Sequence, residues 1–211
     1  MWDGTELKYT VGIGFGWGGQ QTKKEGINYG PVLTDYYKKY YIDPYYDICA
    51  GQSDAPMREQ ATIAFAAGSG RADLSSAITA TWTRESSLRP RPGGDAGATQ
   101  LTSYWRNNHP ELIVGNAYGT WHGRTNPKED SFDGDPLDNI ATLRNIVAFN
   151  KSLHGSYSRA AYWYGPGDAK DKSYPRGTGK DNEIRSRYAK ETMSYYSKYE
   201  AFFKCLESYK P

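Results

Sequence analysis

The chain has 211 residues, of which 15% are aromatic, and a formal net charge of +2 with both signs interspersed. This length allows one domain with a substantial core. Disordered chains are poor in aromatic residues, so the composition predicts a folded protein. The charge pattern gives no reason to expect nucleic acid or an anionic membrane as a partner. No apolar run in the sequence is long enough to span a bilayer.

The first 55 residues are predicted to be an N-terminal extension packed on a main domain of residues 56–211. Residues 11–19 alternate apolar side chains with glycine, which indicates an extended Gly/aromatic segment that packs on the core or lines a cleft. They lack the features of a nucleotide-binding loop, which would lead into a helix. A helix is predicted from Val32, with Pro31 in its first turn. We expect extension and main domain to unfold as one cooperative unit.

Two helices are predicted next. The first covers residues 56–67 and is expected to bury Met57, Ala61, Ala64 and Phe65. The second, from Asp73, has one apolar stripe with helical spacing. The members of that stripe are Leu74, Ala77, Ile78, Thr81 and Trp82.

Glu85 continues this stripe at i+11 and is the candidate catalytic residue. Pro90 and Pro92 forbid further helix, so Glu85 is expected in or near the last turn. Burial and the negative potential of a helix C-terminus both favour a protonated carboxyl. A neutral acid near pH 7 can protonate a glycosidic oxygen. In the alternative interpretation Glu85 caps the helix or pairs with Arg84 or Arg89.

The rest of the chain is predicted to be a loop followed by three helices. Residues 103–136 have no sustained period, so we expect a cleft-side loop with short helical pieces. Asp138 is expected to cap a buried helix from Asn139 to about Leu153, which a short helix over 157–164 follows. The last helix, about 182–208, carries a long stripe. That stripe comprises Ile184, Tyr188, Thr192, Tyr195, Tyr199, Phe202 and Leu206.

No metal site is predicted. The three histidines have no partner at ligand spacing; they are His109, His122 and His154. The acidic residues between 130 and 138 do not match a calcium loop, and we interpret them as a solvated loop and a helix cap. They are Asp130, Asp133, Asp135 and Asp138.

Four short segments occur in an order typical of one enzyme family. They are Glu85-Ser86-Ser87 with Gly97-Ala98-Thr99-Gln100-Leu101, then Asp135-Pro136 with Asn139-Ile140, then residues 159–167 (RAAYWYGPG), and last Tyr188. Together they resemble the lytic transglycosylase domain, a relative of goose-type lysozyme. The resemblance spans roughly residues 74–203. It implies a mainly α, lysozyme-like superhelical domain.

The chain departs from the family pattern around the substrate cleft. The spacing from Glu to Gln is compressed, and Gly-Ala-Thr-Gln stands where the family has Gly-Leu-Met-Gln. Trp163 replaces the family's Asn, and about seventy N-terminal residues have no counterpart. Because of these departures, the resemblance does not decide which β-1,4 glycan is the substrate.

The resemblance implies a role for each matching residue. Glu85 would be the general acid, while four residues would hold the sugar or orient Glu85; they are Ser86, Gln100, Tyr162 and Tyr188. Trp163 would offer a stacking face, unless it packs inward on the preceding helix. Asp95 is the first candidate for a catalytic base, ahead of Asp133 and Asp135. Without a base, Glu85 would act first as acid and then as base, and the substrate's own 6-hydroxyl would attack.

The expected activity is a glycosidase that cleaves the glycan strand of peptidoglycan, as a muramidase or lytic transglycosylase. The alternative is an inverting endo-β-1,4-glucanase (cellulase) on a lysozyme-like fold, and a third possibility is a non-catalytic glycan-binding module. No cofactor is expected, and the predicted partner is a polysaccharide bound by a monomer. The expected location is extracytoplasmic, whether secreted, periplasmic or at the cell wall. Such a location favours a Cys49–Cys205 disulfide over two buried thiols.

Overall fold

The computed structural model describes residues 42–88, 97–118, 134–164 and 179–209, and 75% of these residues are helical. A mainly α fold is therefore confirmed. The seven α-helices of this part of the chain are α1 (Asp43–Ala50), α2 (Arg58–Ala67), α3 (Ala72–Ser86), α4 (Ser103–Asn108), α5 (Pro136–His154), α6 (Tyr157–Tyr164) and α7 (Gly179–Ser208). A 3₁₀ turn, Pro110–Leu112, follows α4. Within the described ranges, no helix is both long and apolar enough to cross a bilayer.

The core is built where α3 packs along α7, and α2 and α5 close over the other sides of α3. Trp82 of α3 and Phe202 and Phe203 of α7 are completely buried there. Ile140 and Ile146 of α5 complete this layer. The stripe predicted on α3 is confirmed, because each of its members is buried.

Helix α3 is buried on nearly all sides although it is rich in serine and threonine. Its hydroxyls donate to the carbonyl four residues earlier, as Ser76 does to Ala72 and Thr79 to Ser75, at 2.6 and 2.8 Å. These bonds satisfy polar groups that burial would otherwise leave without a partner. A polar sequence can thereby occupy the centre of the bundle.

The start of α5 differs from the prediction. Asp135, not Asp138, is the N-cap, and its carboxylate accepts from the backbone N–H groups of Leu137 and Asp138. The helix therefore begins at Pro136, where the fixed φ of proline suits the first turn. Asp138 is fully buried and accepts from the backbone N–H of Asn116 at 2.5 Å. A solvated position is therefore wrong for Asp135 and a capping role is wrong for Asp138, because each binds backbone donors in the interior.

Two other expectations about burial need correction. Met57 was expected in the core, but its side chain is 67% exposed. It is the N-cap of α2, where the extended backbone removes it from the helical face. On α7 the predicted stripe is confirmed in part, because Ile184 and Tyr195 are only partly buried. The helix also buries an ion pair between Asp181 and Arg185 that the apolar pattern could not indicate.

Helix α1 belongs to the predicted N-terminal extension and is tied to the end of the chain. A disulfide bond joins Cys49 of α1 to Cys205 of α7, with the two Cα atoms 5.6 Å apart. Next to it, the rings of Tyr45 and Tyr209 stack at 4.5 Å. Part of the extension therefore packs on the core. The segment 11–19 and the helix predicted from Val32 lie outside the described residues.

Candidate active site

Glu85 lies in the last turn of α3, as the sequence predicts. The helix ends because Ser87 and Leu88 adopt left-handed backbone conformations, with φ of 53° and 61°. The backbone N–H of Ser87 closes the last turn on the carbonyl of Thr83 at 2.8 Å. The chain thus leaves the helix two residues after Glu85, before the prolines that were expected to end it. The carboxyl is left partly buried at this helix end.

Two buried tyrosines belong to this site. Tyr188 of α7 donates its hydroxyl hydrogen to Glu85 Oε1. Tyr164, the last residue of α6, donates to the carbonyl of Thr99 at 2.7 Å. Burial, and then the charge of the Glu85 carboxylate, raise the pKa of both phenols well above the ordinary value. Both hydroxyls therefore stay protonated near neutral pH and serve as donors.

The same burial changes the acid itself. Desolvation raises the pKa of Glu85 from its ordinary value of 4.5 to about 7. The hydrogen bond from Tyr188 and the charge of Arg84 oppose this rise, because both favour the carboxylate. Near neutral pH the side chain is then divided between acid and base. A group that must both give and take a proton works best under that condition.

A buried network of hydrogen bonds surrounds Thr99, the residue that Tyr164 binds. The Oδ1 atom of Asn139 accepts from both the backbone N–H and the hydroxyl of Thr99, at 2.9 and 2.8 Å. The Nδ2 atom of Asn139 donates to the carbonyl of Ala117 at 2.9 Å. Since Tyr164 binds the carbonyl of the same Thr99, α5, α6 and the 97–101 turn are held together. The described parts of the four resembling segments are therefore neighbours in space.

Further along α5, polar side chains hold the segment that leads up to Ala117. Val114 donates its backbone N–H to the Thr142 hydroxyl at 2.9 Å, and Asn145 donates to the carbonyl of Leu112 at 3.0 Å. With Asn139, these residues recur at helical spacing along α5. This polar side of the helix holds the backbone of a segment whose apolar side chains, such as Leu112 and Ile113, also pack against the core.

Ser86 and Gln100 were both expected to touch the sugar. Ser86 is buried and its hydroxyl lies 3.3 Å from the carbonyl of Trp82. Gln100 has a left-handed backbone with φ of 51°, and its amide donates to the carbonyl of Gly97 at 2.9 Å. The Ser86 hydroxyl therefore faces the backbone of its own helix, and the Gln100 side chain faces the backbone of its own turn. Binding of sugar by either residue stays a prediction.

Tyr162 and Trp163 lie on the outer side of α6. Tyr162 donates to the side-chain carbonyl of Asn182 on α7 at 2.7 Å. The indole of Trp163 is 44% exposed, so the alternative holds only in part: the ring packs on α5 but is not buried there. It stacks on His154 at the end of α5, with ring centroids 5.2 Å apart. The guanidinium of Arg185 lies 5.5 Å from the Trp163 ring.

Of the candidate bases, only Asp135 falls within the described residues; Asp95 and Asp133 do not. The Asp135 carboxylate caps α5, accepting from the backbone N–H of Leu137 at 2.8 Å. A carboxylate held in this way has a structural role. Across the described parts of the chain, no group of three His, Cys, Asp or Glu side chains could hold a metal ion.

Sequence reasoning missed two features of the site. One is Tyr164, since Tyr162 and Trp163 were the residues of the RAAYWYGPG segment predicted to belong to the site. The other is an ion pair beside the acid, between Arg84 and Glu191, in which Arg84 Nε lies 2.6 Å from Glu191 Oε2. A signal for the second did exist, because Glu191 follows Tyr188 by three residues and so shares its helical face.

Comparison with protein-family models, with curated proteins and with solved structures gives no match for this chain.

Proposed function

We propose that this protein is a glycosidase that cleaves a β-1,4-linked polysaccharide with Glu85 as general acid, on a lysozyme-like helical domain. The observation that carries the proposal is the raised pKa of Glu85, about 7, in a carboxyl that also accepts a hydrogen bond from Tyr188. A protonated carboxyl at neutral pH is the requirement for protonating a glycosidic oxygen. The proximity of the four resembling segments supports the same conclusion.

In this mechanism Glu85 gives its proton to the leaving oxygen and becomes a carboxylate. Tyr188 then donates a hydrogen bond to a charged acceptor, and such bonds are stronger than those to neutral acceptors. The nearby guanidinium of Arg84 also favours the carboxylate. Tyr188 and Arg84 thus stabilise the Glu85 carboxylate that proton transfer creates. The same carboxylate can next accept a proton, either from water or from the 6-hydroxyl of the substrate.

We propose peptidoglycan as the substrate, in keeping with the family that the sequence resembles. One observation favours the alternative, an endo-β-1,4-glucanase. The indole of Trp163 stands on α6 where the family pattern has an amide, and it is 44% exposed. Its flat apolar surface suits the less decorated faces of glucose units. The third candidate is glycan binding without catalysis, which an experiment must distinguish from cleavage of either substrate.

We also propose an extracytoplasmic location and a polysaccharide as the partner. The disulfide between Cys49 and Cys205 supports the location, because disulfides persist in oxidising compartments.

The experiment is product analysis with purified peptidoglycan, chitooligosaccharides and soluble cellulose. Glu85→Gln keeps the shape of the side chain but removes the proton, so turnover should fall by at least about a hundredfold. Glu200→Gln is the matched control. It removes a carboxylate from α7 about 18 Å along the helix from Tyr188 and should leave turnover unchanged. Near-wild-type activity of Glu85→Gln on the true substrate would refute the assignment.

A further inference from the structure

Four side chains meet where α3 crosses α7, and they form two interactions side by side. Glu85 of α3 accepts the hydrogen bond from Tyr188 of α7. Next to it, Arg84 of α3 pairs with Glu191 of α7 at 2.6 Å. The guanidinium of Arg84 also lies 5.0 Å from the centre of the Tyr188 ring. The ion pair and the acid are therefore parts of one cluster, which we name the α3–α7 quartet.

We propose that Glu191 controls the proton on Glu85 through Arg84. Arg84 alone would place a positive charge beside Glu85 and favour the carboxylate. Glu191, in contact with that guanidinium, cancels part of its field. Glu85 can then keep its proton at neutral pH although a cation is its neighbour in the chain. Arg84 and Glu191 are positioning residues in this account, since neither is placed against the substrate.

The other groups facing Glu85 do not supply this control. Tyr188 comes from α7 and Tyr164 from α6, and both phenols stay neutral because burial raises their pKa well above the ordinary value. Among the described residues, Arg84 is the charged group that acts on Glu85. Its ion pair is partly exposed, so solvent reduces the effect without removing it.

The electrostatics can be measured on the protein without any substrate. Carboxyl carbons of glutamate are labelled with ¹³C, and the Glu85 signal is assigned as the one lost in Glu85→Gln. Glu191→Gln leaves the Arg84 charge uncompensated and should lower the Glu85 titration midpoint by roughly half a pH unit, the scale for a solvent-screened pair. Arg84→Met should raise it by a similar amount.

The double variant Arg84→Met/Glu191→Gln is the decisive comparison. Its midpoint should return to near the wild-type value, because the pair then contributes no charge. A purely structural role predicts that damage from the two changes accumulates. Glu200→Gln is the control; its carboxylate pairs with Lys204 at 2.8 Å and lies about 13 Å along α7 from Glu191. That distance exceeds the screening length at physiological salt, about 8 Å, so this variant should not shift the midpoint.

Opposite shifts in the single variants that cancel in the double variant would establish the inference. Shifts in the same direction, or none, would overturn it. The consequence for catalysis rests on the proposed function: the pH profile of turnover should move with the midpoint. If the titration behaves as expected but no glycan is cleaved, the proposed function fails while the electrostatic control stands.

Discussion

Glu85→Gln should make the protein more stable at neutral pH while it abolishes the proposed chemistry. Burial raises the pKa of Glu85 from 4.5 to about 7 in the folded chain, whereas the unfolded chain keeps the ordinary value. The folded state therefore holds this proton more tightly. The stability that the group contributes is fully present below pH 4.5 and is lost as the pH rises to 7.

The size of the effect follows from that interval. Each pH unit between the two values costs about 1.4 kcal/mol of folding free energy, so the loss above pH 7 is about 3 kcal/mol. Glutamine carries no charge and still accepts the hydrogen bond from Tyr188 through its carbonyl oxygen. The variant should match the wild type near pH 4.5 and exceed its free energy of unfolding by about 3 kcal/mol above pH 7.

Urea denaturation of both proteins, without reductant, between pH 4.5 and 8.5 measures this difference directly. All other titrating groups are common to the two proteins and cancel in the subtraction. Glu200→Gln, analysed in the same way, is the control for the loss of a carboxylate far from Glu85. A difference for Glu85→Gln that does not change with pH would refute the reasoning, because it would mean that Glu85 titrates as a solvated carboxyl.

Three further predictions follow from the site and the disulfide. Tyr188→Phe removes a donor to the carboxylate and should raise the Glu85 titration midpoint by about one pH unit, the scale of one hydrogen bond to a charged group; an unchanged or lower midpoint, read by ¹³C NMR, would contradict this. Trp163→Ala should weaken binding of a β-1,4 oligosaccharide by about 1–3 kcal/mol if the ring is a platform, with under about 2 kcal/mol lost from the free energy of unfolding since the ring is half exposed. If calorimetry shows that Trp163→Ala binds the oligosaccharide as tightly as the wild type does, the ring is not a sugar-binding platform. Mass spectrometry of the unreduced protein should show one cross-linked peptide containing Cys49 and Cys205, and two alkylatable thiols would exclude the bond.

The sequence alone predicted most of the helices and the candidate acid, but not α1. Hydrophobic spacing predicted α2, α3, α6 and α7 to within a few residues, because an apolar stripe with a 3.6-residue period can be buried only as a helix. It also placed Glu85 at the end of a buried stripe, where desolvation was expected to favour its protonated form. These are local properties, and each can be read from about a dozen consecutive residues.

Only the tertiary structure decided which polar groups meet. Asp135 and Asp138 are both plausible caps by residue type, but packing of the 112–117 segment on α5 assigned the cap to the first and a buried acceptor role to the second. Tyr188 reached Glu85 across 103 residues of chain, and Arg84 found Glu191 on the same crossing. Such pairs depend on how two helices are rotated and shifted against each other. That arrangement is set by the packing of the whole core, which no local pattern encodes.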